Sequence, residues 1–378
     1  MRPFSVWGLS LAVLLATQVI CKDTDKDTIQ LVHVFFRHGS RTPEKSHQYP
    51  TDPYGLKDFE PMGWGQLTNI GKQRAYKLGH LLRERYDNFL GQIYTPDIVR
   101  AKSTDFDRTK MSALLALAGL FKPAPSQLWN EEVTWLPIPY EYDKGSYDFS
   151  LRRPLAYCPT YYKELESIYS SPEYLIVLKE HKKLLQYIAK NSGKPMNSLV
   201  DVFNIYQTLC SEKSLNLTLP EWANTVYDDI EELAGKQCEI ENSNDILKKL
   251  NGGRMLGQVI KQMLAKTENK LYPEQTKIFL YSGHENNVIN ILAALDVFKA
   301  HVPKFSAAVL IELHYLKDSQ QYAVKVFYSR DVDNSLEEQT LPGCGTLCPL
   351  TDFIRITEKH VPQNYTLECN SNIDLDFY

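Results

Sequence analysis

Arg37, His38 and Arg41 fall within one short heptad, Arg37-His38-Gly39-Ser40-Arg41-Thr42-Pro43. A histidine attacks phosphorus through an unprotonated ring nitrogen, which requires that its other nitrogen be held by a hydrogen bond. Planar guanidinium forks suit phosphate oxygens better than ammonium groups do. Gly39 lets the backbone turn sharply and come close to an anion. Arg108 and the pair His284-Glu285 lie far away along the chain. They supply the remaining parts: another fork, a second imidazole and a carboxyl able to protonate a leaving oxygen. Two histidines, three arginines and a carboxylate meet the needs of phosphoryl transfer. Each has a duller reading, since a lone histidine is usually structural and lone arginines are usually solvated. For the whole heptad, chance is a poor explanation.

The surrounding patterns position these residues. The run 29–36 is apolar except for Gln30 and His33, as in a buried strand of a parallel sheet. A second strand is expected at 98–103 and a third at 277–281. Arg108 opens an expected helix, 108–121, where free amides and the helix dipole also favour an anion. In open α/β sheets ligands bind beyond the carboxyl ends of the strands. All the candidate residues follow such ends. A helix is expected at 68–86, with Leu78, Leu81 and Leu82 as its apolar stripe. From 161 to 263 the patterns are mostly helical, including 174–190 and 244–250, and a β-hairpin is expected from 307–316 and 322–328. The fold class this implies is α/β: a central mixed, mainly parallel sheet flanked by helices, with an inserted α-helical cap domain. The core is placed at 22–145 and 266–378, and the cap at 146–265.

The 378 residues, 43% apolar and 23% charged, describe an ordinary globular chain of one large domain or a domain with an insertion. A net charge of −4 gives no reason to expect a nucleic-acid partner. Residues 1–21 read as a cleaved signal peptide: Arg2, an apolar stretch at 4–16, then Val19 and Cys21 at the −3 and −1 positions. A signal anchor is the alternative. No later stretch reaches the ~18 apolar residues of a membrane span, so no membrane anchor is expected. Of seven cysteines, six remain after Cys21 is removed. An even number in an exported chain suggests three disulfides, whose pairing the spacing leaves open. Sequons at Asn216 and Asn364 fit the same secreted, extracellular setting. Neither His-Glu-x-x-His nor an acidic cluster occurs, so no cofactor or metal is expected.

RHGSRTP at 37–43, STDFDRTKMSA at 103–113, YSGHENN at 281–287 and PMGWGQLTNIGKQRAYKLG from Pro61 resemble the motifs of histidine acid phosphatases. That family contains the lysosomal and prostatic acid phosphatases and the phytases. The likeness is strongest to secreted insect enzymes of the venom type. It implies an α/β core of histidine phosphatase superfamily type with a helical cap. It makes His38 the nucleophile and Glu285 the acid, and has Arg37, Arg41, Arg108 and His284 bind the phosphoryl group. Small-molecule or peptide phosphate monoesters are the implied substrates, with no metal. The resemblance also implies Cys158–Cys369 and Cys344–Cys348 bonds, which leaves Cys210–Cys238 by elimination. Family members often form homodimers, and Trp135 lies where the animal enzymes make that contact, although it could equally be a core residue. His47, Tyr49, Asp52 and Tyr54 either line the mouth of the site or form surface loop.

Two departures stand out. Most of the family has Asp where this chain has Glu285, and one added C–C bond displaces the carboxyl by roughly 1.5 Å. Errors of that size cost about 10²-fold in rate. Cys238 has no obvious counterpart in the vertebrate enzymes. Two rival readings follow. Phosphoglycerate mutases share the RHG motif but are mostly intracellular and lack this cysteine pattern. A secreted, non-catalytic binder of phosphorylated ligands has only Glu285 in its favour.

Overall fold

The computed structural model describes residues 28–376. The expected signal segment, 1–21, lies outside them.

Strand β1, Ile29–Arg37, is buried nearly throughout. It runs parallel to β4, Ile278–Gly283. β4 in turn pairs in parallel with β2, Val99–Ser103, and β2 with the two-residue β3, Glu141–Tyr142. On the other side of β1 the sheet turns antiparallel, through β5, Ala308–Leu316, and β6, Gln321–Ser329, to the short β7, Glu337–Glu338, and β8, Cys348–Pro349. The expected hairpin is the reason for this switch. A short turn can only reverse the chain, whereas parallel strands need a long crossover. The sheet is therefore mixed, and its parallel part is confined to β1–β4.

Alternation along β1 feeds two layers. Val32, Val34 and Phe36 pack with α1, Asn69–Leu90, and α2, Asp107–Leu120, through Leu78, Leu82 and Leu117. Leu31 and Phe35 pack on the opposite face with α10, Arg254–Thr267, and α11, Glu285–Ala294. The end of the segment expected as cap thus lies on the core sheet. Helices α3–α9 precede it, starting at Pro159. Among them α6, Leu199–Ser214, and α8, Tyr227–Ile240, share a separate apolar cluster. The helix expected at 174–190 is two, α4, Pro172–Glu180, and α5, Lys182–Ser192. They break at His181, whose backbone leaves the helical region at φ −93°, ψ 10° and whose Nδ1 lies 2.8 Å from the Val177 carbonyl.

Gly39 acts by close packing. A Cβ there would sit 2.1 Å from the Gly71 carbonyl oxygen, and one on Gly71 would sit 2.0 Å from that of Ser40. The loop after β1 therefore rests directly on the first turn of α1, which Thr68 caps by accepting from Gly71 N at 3.0 Å.

Disulfides join Cys158 to Cys369 and Cys344 to Cys348. The Cys210–Cys238 bond inferred by elimination is absent, and both thiols are free. Cys210 on α6 lies against Tyr206 and Tyr227, at the start of α8. Cys238 is three turns further along α8, about 16 Å away, well beyond the roughly 7 Å between Cα atoms that a disulfide can span.

Candidate active site

β2, β4 and β1 are neighbours, and their carboxyl ends are in register: Ser103 opposite Ser282, and Arg37 opposite Gly283. The backbone continues this alignment, with His38 N donating to Gly283 O at 2.9 Å and Thr104 N to Ser282 O at 3.1 Å. Arg37, His38, Arg108, His284 and Glu285 consequently meet at one edge, and Arg41 joins them from the loop.

His38 Nδ1 lies 2.7 Å from the Gly39 carbonyl, so this nitrogen carries the hydrogen. Nε2 is then unprotonated and accepts from Arg108 Nε at 3.2 Å. Burial, followed by the charges of Arg108 and Arg37, drives the His38 pKa well below the usual imidazole range. The ring is neutral, with its lone pair facing cations. Its neighbour His284, 5.5 Å away between ring centroids, is lowered to about 3, first by burial and then by Arg108. His284 Nε2 lies 3.1 Å from Thr104 Oγ1.

The arginines are held from several directions. Arg37 donates to Pro303 O at 2.6 Å and stacks over Phe305 at 4.2 Å. Arg41 donates to Thr42 O at 2.9 Å. Gln207 Oε1, from α6, accepts from both Arg37 at 3.1 Å and Arg41 at 3.2 Å. Arg108 pairs with Glu44 at 2.9 Å and stacks over Phe106 at 4.5 Å. Arg41 Nε is buried without a hydrogen-bond partner. Glu285 opens α11, 3.2 Å from Arg37 Nε. Burial raises its pKa, but Arg37 and His284 outweigh that and hold the carboxyl at about 2. Three guanidiniums against Glu44 and Glu285 leave the cluster with one net positive charge, a ready anion site.

This geometry unites every residue assigned to phosphate chemistry from the sequence. It adds Gln207, Glu44 and Phe305, none of which carries a spacing signal, and Thr104, which lies within the 103–113 motif but has no role assigned from the sequence. His47 is near enough for Arg41 and Glu44 to act on it, although burial has the larger effect. Tyr49 is buried beneath Trp222. Tyr54 reaches Thr218 O at 2.6 Å, and Asp52 faces Glu212. These last three tie the loop to the helical layer. Trp135 is partly exposed, and its carbonyl accepts from Trp129 Nε1 at 2.7 Å. Asn216 and Asn364 are exposed. Beyond the cluster opens a cavity of about 710 Å³.

Residues 28–329 match the model of the histidine phosphatase superfamily, branch 2. The chain belongs to that superfamily. A venom acid phosphatase of Apis mellifera is 38% identical over 90% of this chain and 88% of its own length. Human lysosomal acid phosphatase is 33% identical over 96% of this chain and 86% of its own. This histidine phosphatase is therefore an acid phosphatase. Its fold is shared with a phytase of Klebsiella sp. ASR1, at TM-score 0.69 and 14% identity, covering 92% of this chain and 98% of that one. A Hafnia alvei phytase aligns with the same TM-score at 16% identity, over 90% and 98%. Among the described residues no helix is long and apolar enough to cross a membrane.

Proposed function

We propose that this acid phosphatase hydrolyses phosphate monoesters through a phosphohistidine at His38 and works outside the cell. The fixed tautomer of His38 carries the reading. Nδ1 is committed to Gly39 O, and Nε2 is presented among the guanidiniums. Arg37, Arg41, Arg108 and His284 bind the phosphoryl oxygens, Arg108 giving up its bond to His38 for one to phosphate. His38 Nε2 attacks phosphorus as the P–O ester bond breaks. The leaving oxygen takes a proton from the Glu285 carboxyl. Water then attacks phosphorus, the N–P bond breaks, inorganic phosphate leaves and Glu285 recovers a proton. The guanidiniums stay charged throughout and meet the charge that builds on the phosphoryl oxygens.

The unliganded Glu285 is a carboxylate, so its proton must arrive with the substrate. A monoester has a second pKa near ~6 and enters below that pH as a monoanion. Once its oxygens occupy Arg37, Glu285 loses the partner that kept it ionised, and the proton passes to it. Acid preference follows. Two disulfides, exposed sequons and the leading segment support export. The relatives include both a venom protein and a lysosomal one.

His38→Ala tests the reading. Labelled substrate quenched into alkali, where an N–P bond survives, should trap phosphohistidine in the parent and none in the variant. Turnover by the variant at parental rate would remove His38 from the mechanism.

A further inference from the structure

The wall of the cavity beyond the arginine cluster has its own charge pattern. Arg153 points its Nη2 at Glu241 Oε1, 2.7 Å away. The same carboxyl oxygen takes Gln237 Nε2 at 2.9 Å, so two donors fix Glu241 in place. Arg153 Nε is buried without a hydrogen-bond partner. Arg153, Cys238 and Glu241 line the same cavity as His284 and Glu285. The Arg153–Glu241 pair thus faces the space a leaving group must occupy.

Charge there sums to nothing useful for an anion. The wall offers Arg152 and Arg153 against Asp105, Asp148 and Glu241. Lys110, bound to Asp105 at 2.5 Å, brings the total to zero. Between these charges the wall is apolar, with Phe106, Leu151, Phe203 and Ile289. A cavity built for a second phosphate would keep its guanidinium free and its field positive.

We infer that Glu241 sets substrate class in this acid phosphatase, by neutralising Arg153 so that the cavity takes monophosphates with neutral, partly apolar leaving groups and rejects molecules bearing a second phosphate. Glu241 is a positioning residue: it acts on the substrate through Arg153. The inference rests on the monoester reading above and names its substrate class.

A matched pair of substrates provides the test. Fructose 6-phosphate and fructose 1,6-bisphosphate differ by one phosphate, and the ratio of their kcat/KM values reports the wall. Glu241→Gln keeps the Arg153 contact but removes the charge. The bisphosphate-to-monophosphate ratio should rise about tenfold, through KM rather than kcat. Glu241→Asp retains the charge and should give the parental ratio. Glu241→Gln combined with Arg153→Gln should abolish the gain. An unchanged ratio in Glu241→Gln, or a change carried by kcat, would overturn the inference. The parent alone provides a further check that needs no variant to fold: myo-inositol hexakisphosphate should inhibit p-nitrophenyl phosphate hydrolysis no more tightly than inorganic phosphate does. Tenfold tighter inhibition would also overturn it. Absence of any hydrolysis by the parent would instead strike the monoester reading.

Discussion

Glu285 Oε2 lies 3.2 Å from Nε of Arg37, which is itself pinned to Pro303 and Gln207. The carboxyl is therefore ionised in the unliganded protein, with a pKa of about 2; in the mechanism proposed above it accepts a proton when phosphate takes over Arg37.

The pH profile of kcat/KM should follow from that exchange. It should be high while the monoester is a monoanion and fall about tenfold per unit above pH ~6. Glu285→Gln cannot donate a proton. Alkyl phosphates, whose leaving oxygens need one, should slow by about 10²–10³-fold, and p-nitrophenyl phosphate much less. If both classes slowed equally, Glu285 would be an orienting group and the acid would have to be sought elsewhere.

Gln207 is the helical layer's contact with the arginine cluster. Its single carbonyl aligns the Arg37 and Arg41 forks. Gln207→Ala leaves both arginines charged but frees them to shift, so kcat/KM should drop roughly 10–100-fold, mostly through KM. Steady-state kinetics beside a circular dichroism spectrum would check this, and a loss below twofold would show the forks are held without it.

Glu212 on α6 gives a stability prediction. Burial, then Asp52, pushes its carboxyl up to about 9. Because the folded value lies above the unfolded one of ~4.3, the neutral form stabilises the fold. That contribution is complete below pH ~4.3 and is lost as pH rises toward about 9. Glu212→Gln stays neutral at every pH. Its Tm should exceed the parent's by roughly 2–6 °C at pH 8 and match it at pH 4. A thermal melt showing the same difference at both pH values would refute a raised Glu212 pKa as its source.

The free thiols can be counted. Denatured, unreduced protein lacking Cys21 should titrate two thiols, Cys210 and Cys238. Native protein should react slowly at Cys238, whose thiol burial keeps protonated. A count of zero would restore the third disulfide.

Much of the site was legible in the linear chain because its chemistry follows strand ends. An apolar run that stops at Arg37-His38-Gly39 shows both the strand and the loop beyond it. The same logic places Arg108 after β2 and His284-Glu285 after β4. Residue type and strand periodicity are local properties, and the family's motifs are contiguous, so sequence alone determined the fold class and singled out the residues proposed as nucleophile, forks and proton donor. Register was not local. Only the pairing of Arg37 with Gly283 and of Ser103 with Ser282 makes three distant loops a single pocket. Gln207, Glu44 and Glu241 carry no motif, because they act through partners far away along the chain. The ionisation of Glu285 is likewise a product of the fold, since it depends on the nearness of Arg37 and His284. The Cys210–Cys238 inference failed for the same physical reason: counting pairs cysteines, but a bond needs two sulfurs in reach, and three turns of α8 keep these apart.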